Sequence, residues 1–189
     1  MDTTHSIDIR PKQNVMLAPY TVFKIGGIAR FFYEASSEEA MQEALRWAHN
    51  YAIPVFILGG GSNVLISDKG FSGLVIRPQY SAISFLGNTV RVDAGVMMPK
   101  LSSLALKEGL SGLEWALGIP GTVGGSIRGN AGCFGVETRD VLMNAKIAYR
   151  GSVEEVAPEY FNFDYRESTV KHSPRVVLEG TFQLQKGDP

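Results

Sequence analysis

The chain has 189 residues, 44% hydrophobic and 20% charged, which suits one ordinary domain or two small lobes with a proper core. Eighteen basic and nineteen acidic side chains leave a net charge of -1, which excludes the basic field that non-specific nucleic-acid binding needs and makes a small molecule the expected partner. The single cysteine, Cys133, excludes an intramolecular disulfide and leaves a four-ligand structural zinc site short of donors, so a reducing, cytoplasmic compartment is expected.

Residues 1–13 are polar and aperiodic and are expected to form a flexible leader, with no apolar core of a signal peptide. No later stretch stays apolar for the ~20 residues of a membrane helix. After the Gly26-Gly27 turn, Phe31 to Glu34 form the first predicted strand. Ser36 is placed to start a helix: its hydroxyl can cap free amides, Glu39 stands at capping-box spacing, and Met41, Ala44, Leu45 and Ala48 recur on one face. Val55 to Leu58 make a second strand that runs into three glycines. Val64 to Ile66 and Leu74 to Ile76 are expected to flank a turn at Asp68-Lys69-Gly70, and Asn88 to turn a hairpin between Ile83–Phe85 and Val90–Val92.

A helix from Pro99, with Leu101, Leu104 and Ala105 on one side, is stopped by Gly109, and a second helix is expected over Gly112 to Ala116. Lys146 to Tyr149, Val153 to Val156 and Arg175 to Leu184 have strand patterns. The order indicates an α+β protein in which a leader (1–13) precedes a first lobe over 14–79 and a second over 80–189.

Two glycine clusters carry the chemistry. A strand delivering the chain into Gly59, Gly60, Gly61, Ser62 and Asn63 gathers backbone amides in a turn without Cβ atoms, where a phosphate oxygen can approach. Alone, such a run does not separate a phosphate cradle from a plain tight turn. It is not a P-loop, having no Gly-Lys-Ser/Thr, and not a Gly-x-Gly-x-x-Gly dinucleotide turn, since strand-like Val64 to Ile66 follow. In the second cluster, Gly118, Pro120, Gly121, Thr122, Gly124 and Gly125, Thr122 can cap a short helix whose first amides would face an anion. Ile127 to Gly132 are expected to be extended and nearly free of bulk, able to lie against a flat ligand. Two anion-seeking turns suit a diphosphate.

Leu58-Gly-Gly-Gly-Ser-Asn-Val-Leu65, Gly118-Ile-Pro-Gly-Thr-Val-Gly-Gly125 and Asn130-Ala-Gly132, preceded by Tyr20-Thr-Val-Phe-Lys-Ile-Gly-Gly27, resemble the UDP-N-acetylenolpyruvoylglucosamine reductases over roughly residues 14–186. The resemblance implies the two-lobed FAD-binding fold of the vanillyl-alcohol-oxidase (PCMH) type, with FAD held between the lobes. It places Gly59 to Asn63 on the pyrophosphate, Gly118 to Gly125 along the diphosphate and flavin, and Asn130, Ala131 and Gly132 near the isoalloxazine. It implies NADPH as hydride donor, the UDP-N-acetylglucosamine enolpyruvate as substrate, a role in peptidoglycan synthesis, and a monomer.

Phe163-Asp164-Tyr165-Arg166-Glu167-Ser168 carries the family's Tyr-Arg pair. Arg166 maps to the arginine associated with catalysis, suited to a carboxylate and a developing enolate; without the resemblance, an ion pair with Asp164 or Glu167 would be the simpler expectation. Tyr165 is a weaker substrate-binding site, because a tyrosine in a strand context more often packs. Cys133 stands where the family has a small residue and is expected to fill space. His5, His49 and His172 show no ligand spacing, so no metal site is expected.

Family members continue into a third, substrate-binding domain with a serine proton donor and a glutamate, and this chain stops at Gly187-Asp188-Pro189. The expectation is a shortened reductase. The alternatives are an FAD-binding module without complete reductase activity, another flavin oxidoreductase, or an unrelated α+β protein whose glycines only serve turns.

Overall fold

The computed structural model describes residues 9–187, and the chain divides into two units, Met1–Tyr80 and Ser81–Pro189, each with its own core.

In the first unit, β1 (Lys12–Met16) pairs antiparallel with β2 (Ile28–Ala35). Lys12 and Gln13 therefore belong to a sheet, not to a leader; residues 1–8 of that expected leader, His5 among them, lie outside the described residues. The strand escaped notice because it is a mostly exposed edge with polar side chains, lacking the alternation that a half-buried strand shows. Helix α1 (Glu38–Asn50) starts one residue later than predicted: Ser37, not Ser36, is the cap, its hydroxyl accepting from the Ala40 amide at 3.1 Å. Glu39 then falls in the first turn rather than at capping-box spacing, and complements the helix dipole together with Glu38. The expected apolar face holds, with Met41, Ala44 and Ala48 buried.

Strands β3 (Val55–Ile57) and β4 (Phe71–Pro78) complete a sheet of order β1-β2-β4-β3, in which β4 runs parallel to both neighbours. As the central strand, β4 is apolar on both faces. Val75 packs with Leu17, Ala29, Phe32 and Leu58, whereas Leu74 and Ile76, on the opposite face by the two-residue period, are buried on the side that carries α1. Val64 to Ile66 do not pair as a strand; they stay in the loop, with Val64 and Ile66 packed on that same Phe32 cluster. The turn at Asp68-Lys69-Gly70 is present, closed by the Gly70 amide on the Ser67 carbonyl at 2.8 Å.

The second unit opens with the expected hairpin, β5 (Ile83–Leu86) and β6 (Thr89–Asp93), turning at Gly87-Asn88. Helix α2 (Met98–Lys107) has Pro99 in its first turn, buries Leu101 and Ala105, and leads into β7 (Leu110–Ser111). The helix predicted over 112–116 shrinks to one 3-10 turn, Glu114–Ala116, because Gly112 has φ +121, far from helical. Then come α3 (Val123–Gly129), a small hairpin of β8 (Gly132–Cys133) and β9 (Val136–Glu137), and the strands β10 (Leu142–Tyr149), β11 (Ser152–Val156) and β12 (Val176–Gln183). A last short strand, β13 (Gln185–Lys186), pairs with β7. The main sheet is antiparallel with order β11-β10-β12-β6-β5, and α3 lies on β12 with Ile127 buried in the core.

Residues 127–132 are thus not extended. Ile127 to Gly129 end a helix, and Asn130 caps it in the left-handed conformation with φ 43 and ψ 56. Only Gly132, at the start of β8, is extended, and its lack of a side chain answers to the close approach of Val136 and Glu137. Among the described residues no helix is long and apolar enough to cross a membrane.

Candidate functional site

The first glycine run leaves β3 through Leu58, whose amide donates to the Ile76 carbonyl at 2.9 Å. Its members differ in role. Gly61 is buried, with φ +68, and a Cβ there would stand 2.1 Å from the Tyr20 carbonyl oxygen; its own carbonyl takes the Val22 amide at 3.0 Å. Glycine at 61 is therefore demanded by the docking of this loop on residues 20–22. Among the described residues the backbone amides of Gly59, Gly60 and Asn63 donate to no protein acceptor. Unpaired amides on a turn form a concave set of donors for an anion such as a phosphate. A cavity of about 260 Å³ lies farther along the loop, lined by Leu17, Phe56, Val64, Leu65, Ile66, Gly70 and Phe71, and not by the run itself.

The second cluster is built differently from the expectation. Thr122 does cap α3, its hydroxyl taking the Gly125 amide at 3.4 Å. The helix amides are nevertheless occupied: Val123 donates to Val96 O at 2.8 Å, Gly124 to Ala94 O at 3.0 Å and Ser126 to Thr122 O at 2.8 Å. They do not face an anion. The donors without a protein acceptor are those ahead of the helix, the amides of Gly118, Gly121 and Thr122.

Asn130, Ala131 and Gly132 also serve the protein itself. Asn130 is fully buried; its Nδ2 donates to Glu137 Oε2 at 2.9 Å and to the Asp164 carbonyl at 3.0 Å, while its Oδ1 accepts the Arg139 amide at 3.1 Å. Every strong hydrogen-bonding position of that amide is used or blocked by burial, so its side chain holds segments together and is not free to hold a flavin. The Ala131 carbonyl accepts both the amide and the hydroxyl of Thr138, at 2.8 and 2.9 Å. Gly132 has no room for a Cβ, which would meet the Val136 carbonyl oxygen at 2.5 Å. Cys133 is half-buried and packs on the core of the second unit.

Tyr165 and Arg166 form the tip of a tight turn closed by Asp164 and Glu167, whose amides and carbonyls exchange hydrogen bonds at 3.2 and 3.0 Å. Tyr165 is 77% exposed, so the expected packing in a strand gives way to a side chain standing in solvent. Arg166 has φ +54, a region that favours glycine. Its Nη2 donates to the Gly132 carbonyl at 2.7 Å and its guanidinium lies 6.0 Å from the Tyr165 ring. Among the described residues Arg166 makes no ion pair; Glu167 instead engages Lys171 at 3.2 Å and His172 at 3.0 Å. The structure thus brings Arg166, Gly132 and, through Asp164, Asn130 together. The partners that sequence reasoning missed are Lys171, whose Nζ donates to the Arg166 carbonyl at 2.8 Å, and Arg128, whose Nη2 donates to the Lys171 carbonyl at 2.7 Å. The i,i+4 spacing of Glu167 and Lys171 was the available signal.

The Glu167 carboxyl is held down to about 2, first by the Ser168 amide and then by His172 and Lys171. A carboxylate depressed in the folded state stabilises the turn above its ordinary value near 4.5, and that contribution fades as pH falls toward about 2. Carboxyl-detected NMR titration should place the Glu167 midpoint near 2; a midpoint at the ordinary value would contradict the clamp.

Comparison with known proteins defines the class: residues 29–154 match the FAD binding domain family, and the chain belongs to it. It is 45% identical over 174 residues to the UDP-N-acetylenolpyruvoylglucosamine reductase of Acaryochloris marina, covering 90% of this chain and 56% of that relative. It is 42% identical over 176 residues to the enzyme of the same name from Rubrobacter xylanophilus, covering 92% of this chain and 59% of the relative. Among solved structures, the UDP-N-acetylenolpyruvylglucosamine reductase (MurB) of Thermus caldophilus superposes with a TM-score of 0.83 at 32% identity, over 95% of this chain and 64% of that one. An alkyldihydroxyacetonephosphate synthase reaches 0.65 at 15% identity, over 85% of this chain and 32% of that one, which speaks to the fold alone. The fold class is that of the α+β, vanillyl-alcohol-oxidase type FAD-binding proteins. The chain spans a little over half the length of these two curated relatives.

Proposed function

We propose that this chain is the FAD-binding part of an NADPH-dependent reductase that converts the enolpyruvyl ether of UDP-N-acetylglucosamine to UDP-N-acetylmuramate in the cytoplasm, for cell-wall synthesis. The observation that carries the cofactor assignment is the set of unpaired amides at Gly59, Gly60 and Asn63, which the FAD pyrophosphate would occupy with the side chain of Ser62 beside them. In the second unit the amides of Gly118, Gly121 and Thr122 are likewise without a protein acceptor among the described residues and suit an anion, with Pro120 stiffening the segment. Gly124, Gly125, Asn130, Ala131 and Gly132 act by shaping the backbone that carries these groups. Bound FAD supplies the hydride chemistry.

The protein's own groups supply the electrostatics. Hydride addition to an enolpyruvyl double bond builds negative charge beside a carboxylate, and a guanidinium answers both charges with paired N–H donors. Arg166 has such a guanidinium, paired with no carboxylate among the described residues, and exposed Tyr165 stands beside it as a substrate contact.

Retention of FAD, measured by flavin absorbance after gel filtration, tests the first part. Gly61→Ala, which drives a Cβ into the Tyr20 carbonyl, should weaken FAD binding by about tenfold or more, corresponding to the strain of a displaced loop. A wild-type chain that never retains flavin would sink the assignment. NADPH consumption dependent on the enolpyruvyl sugar nucleotide tests the second part.

A further inference from the structure

Arg166 occupies a left-handed backbone conformation that favours glycine, and such strain persists only where surrounding contacts over-determine it. Those contacts can be named. The Asn130 side chain holds the Asp164 carbonyl at 3.0 Å, before the tip of the turn. Gly132 O receives the guanidinium at 2.7 Å. The Arg166 carbonyl itself is taken by Lys171 Nζ at 2.8 Å.

Lys171 is in turn fixed at three more points. Its Nζ reaches Glu167 Oε2 at 3.2 Å, its amide donates to Ser168 O at 3.0 Å, and its carbonyl accepts Arg128 Nη2 at 2.7 Å. Ser168 Oγ donates to Arg128 O at 2.6 Å, so the last turn of α3 is bonded on both sides to the segment that carries the lysine.

We propose that Lys171 is the positioning residue for Arg166: its ammonium holds the arginine's carbonyl, and with it the left-handed turn that presents the guanidinium beside Gly132. This deepens the reductase reading and rests on it for the catalytic consequence, though not for the local geometry. A neutral side chain at 171 leaves the Arg166 carbonyl without its charged donor, the turn relaxes toward negative φ, and the guanidinium leaves its bond to Gly132. Misplacing a catalytic group by about 1 Å costs on the order of 10²-fold in turnover.

The test compares wild type, Lys171→Met and Lys171→Arg, each loaded with FAD, with Lys171→Gln in reserve should the methionine variant fold poorly. Amide hydrogen exchange at Asp164 and Glu167 reports the turn directly. Exchange there should rise about tenfold in Lys171→Met, return to within about threefold of wild type in Lys171→Arg, and leave the β10–β12 amides unchanged. Turnover of the enolpyruvyl sugar nucleotide should fall about 10- to 100-fold in kcat with little change in KM, and recover in the arginine variant. Unchanged exchange at Asp164 and Glu167 in Lys171→Met would overturn the proposal, as would a turnover loss that Lys171→Arg does not rescue. If the wild-type chain alone shows no turnover, as the expectation of a shortened reductase implies, Lys171 is decided by the exchange comparison and the reductase reading by flavin retention.

Discussion

Replacing Arg166 by alanine in a full-length context is expected to lower turnover of the enolpyruvyl sugar nucleotide by about 10²–10³-fold while leaving FAD bound. The magnitude is that of losing one donor aimed at charge which develops only in the transition state. The separation from cofactor binding follows from its partners: Arg166 engages the Gly132 carbonyl and Lys171, and none of the amides assigned to the cofactor. Stopped-flow kinetics distinguish the steps. NADPH-driven bleaching of the flavin should persist in Arg166→Ala, and reoxidation by the enolpyruvyl substrate should slow. Loss of flavin absorbance instead would reassign Arg166 to the cofactor. Arg166→Gly should relieve the backbone strain at φ +54 and still lose turnover, which separates the guanidinium from the shape of the turn.

The second large effect is expected at Asn130. Asn130→Ala removes three hydrogen bonds from a fully buried site and leaves the Arg139 amide without its acceptor, while the Glu137 carboxylate keeps Arg139 Nε at 2.9 Å. A cost of about 2 kcal/mol is expected in chemical denaturation of the second unit. Asn130→Gly should be less harmful than alanine by about 1 kcal/mol, since it loses the same bonds but tolerates φ 43 without strain. Equal stability of the two variants would mean that the left-handed cap contributes nothing. Both should also loosen the Tyr165-Arg166 turn, because Asn130 holds the Asp164 carbonyl.

Much of the architecture was legible because burial imposes period. The faces of α1 and α2, the Gly87-Asn88 hairpin and the strands β10 and β12 carry their apolar residues where the sheets require them. Strand β1 was not legible, since an exposed edge places no demand on side-chain polarity. The glycine clusters were visible, but their division of labour was not. A sequence shows that glycine is allowed at 61, 124 and 132; only coordinates show that Tyr20, Ala94 and Val136 are what stand in the way of a Cβ. The same limit hid the role of Asn130, whose partners lie 7, 9 and 34 residues away in the chain. Arg166 was found through its resemblance to a family, and its supporting lysine was missed because a backbone carbonyl leaves no trace in the sequence.

The strand order β1-β2-β4-β3 also governs when the first unit can take shape during synthesis. Strand β3 has no hydrogen-bonding neighbour until β4 emerges, because β4 alone pairs with it, and β2 likewise lacks its inner neighbour. The glycine run lies on the stretch between β3 and β4 and docks on residues 20–22, already made. Strand β3 and the inner edge of β2 therefore wait for one eight-residue segment to leave the ribosome. When Phe71–Pro78 inserts, the sheet closes and the glycine run is fixed in the same event, so a nascent chain interrupted before that point would offer chaperones an open edge.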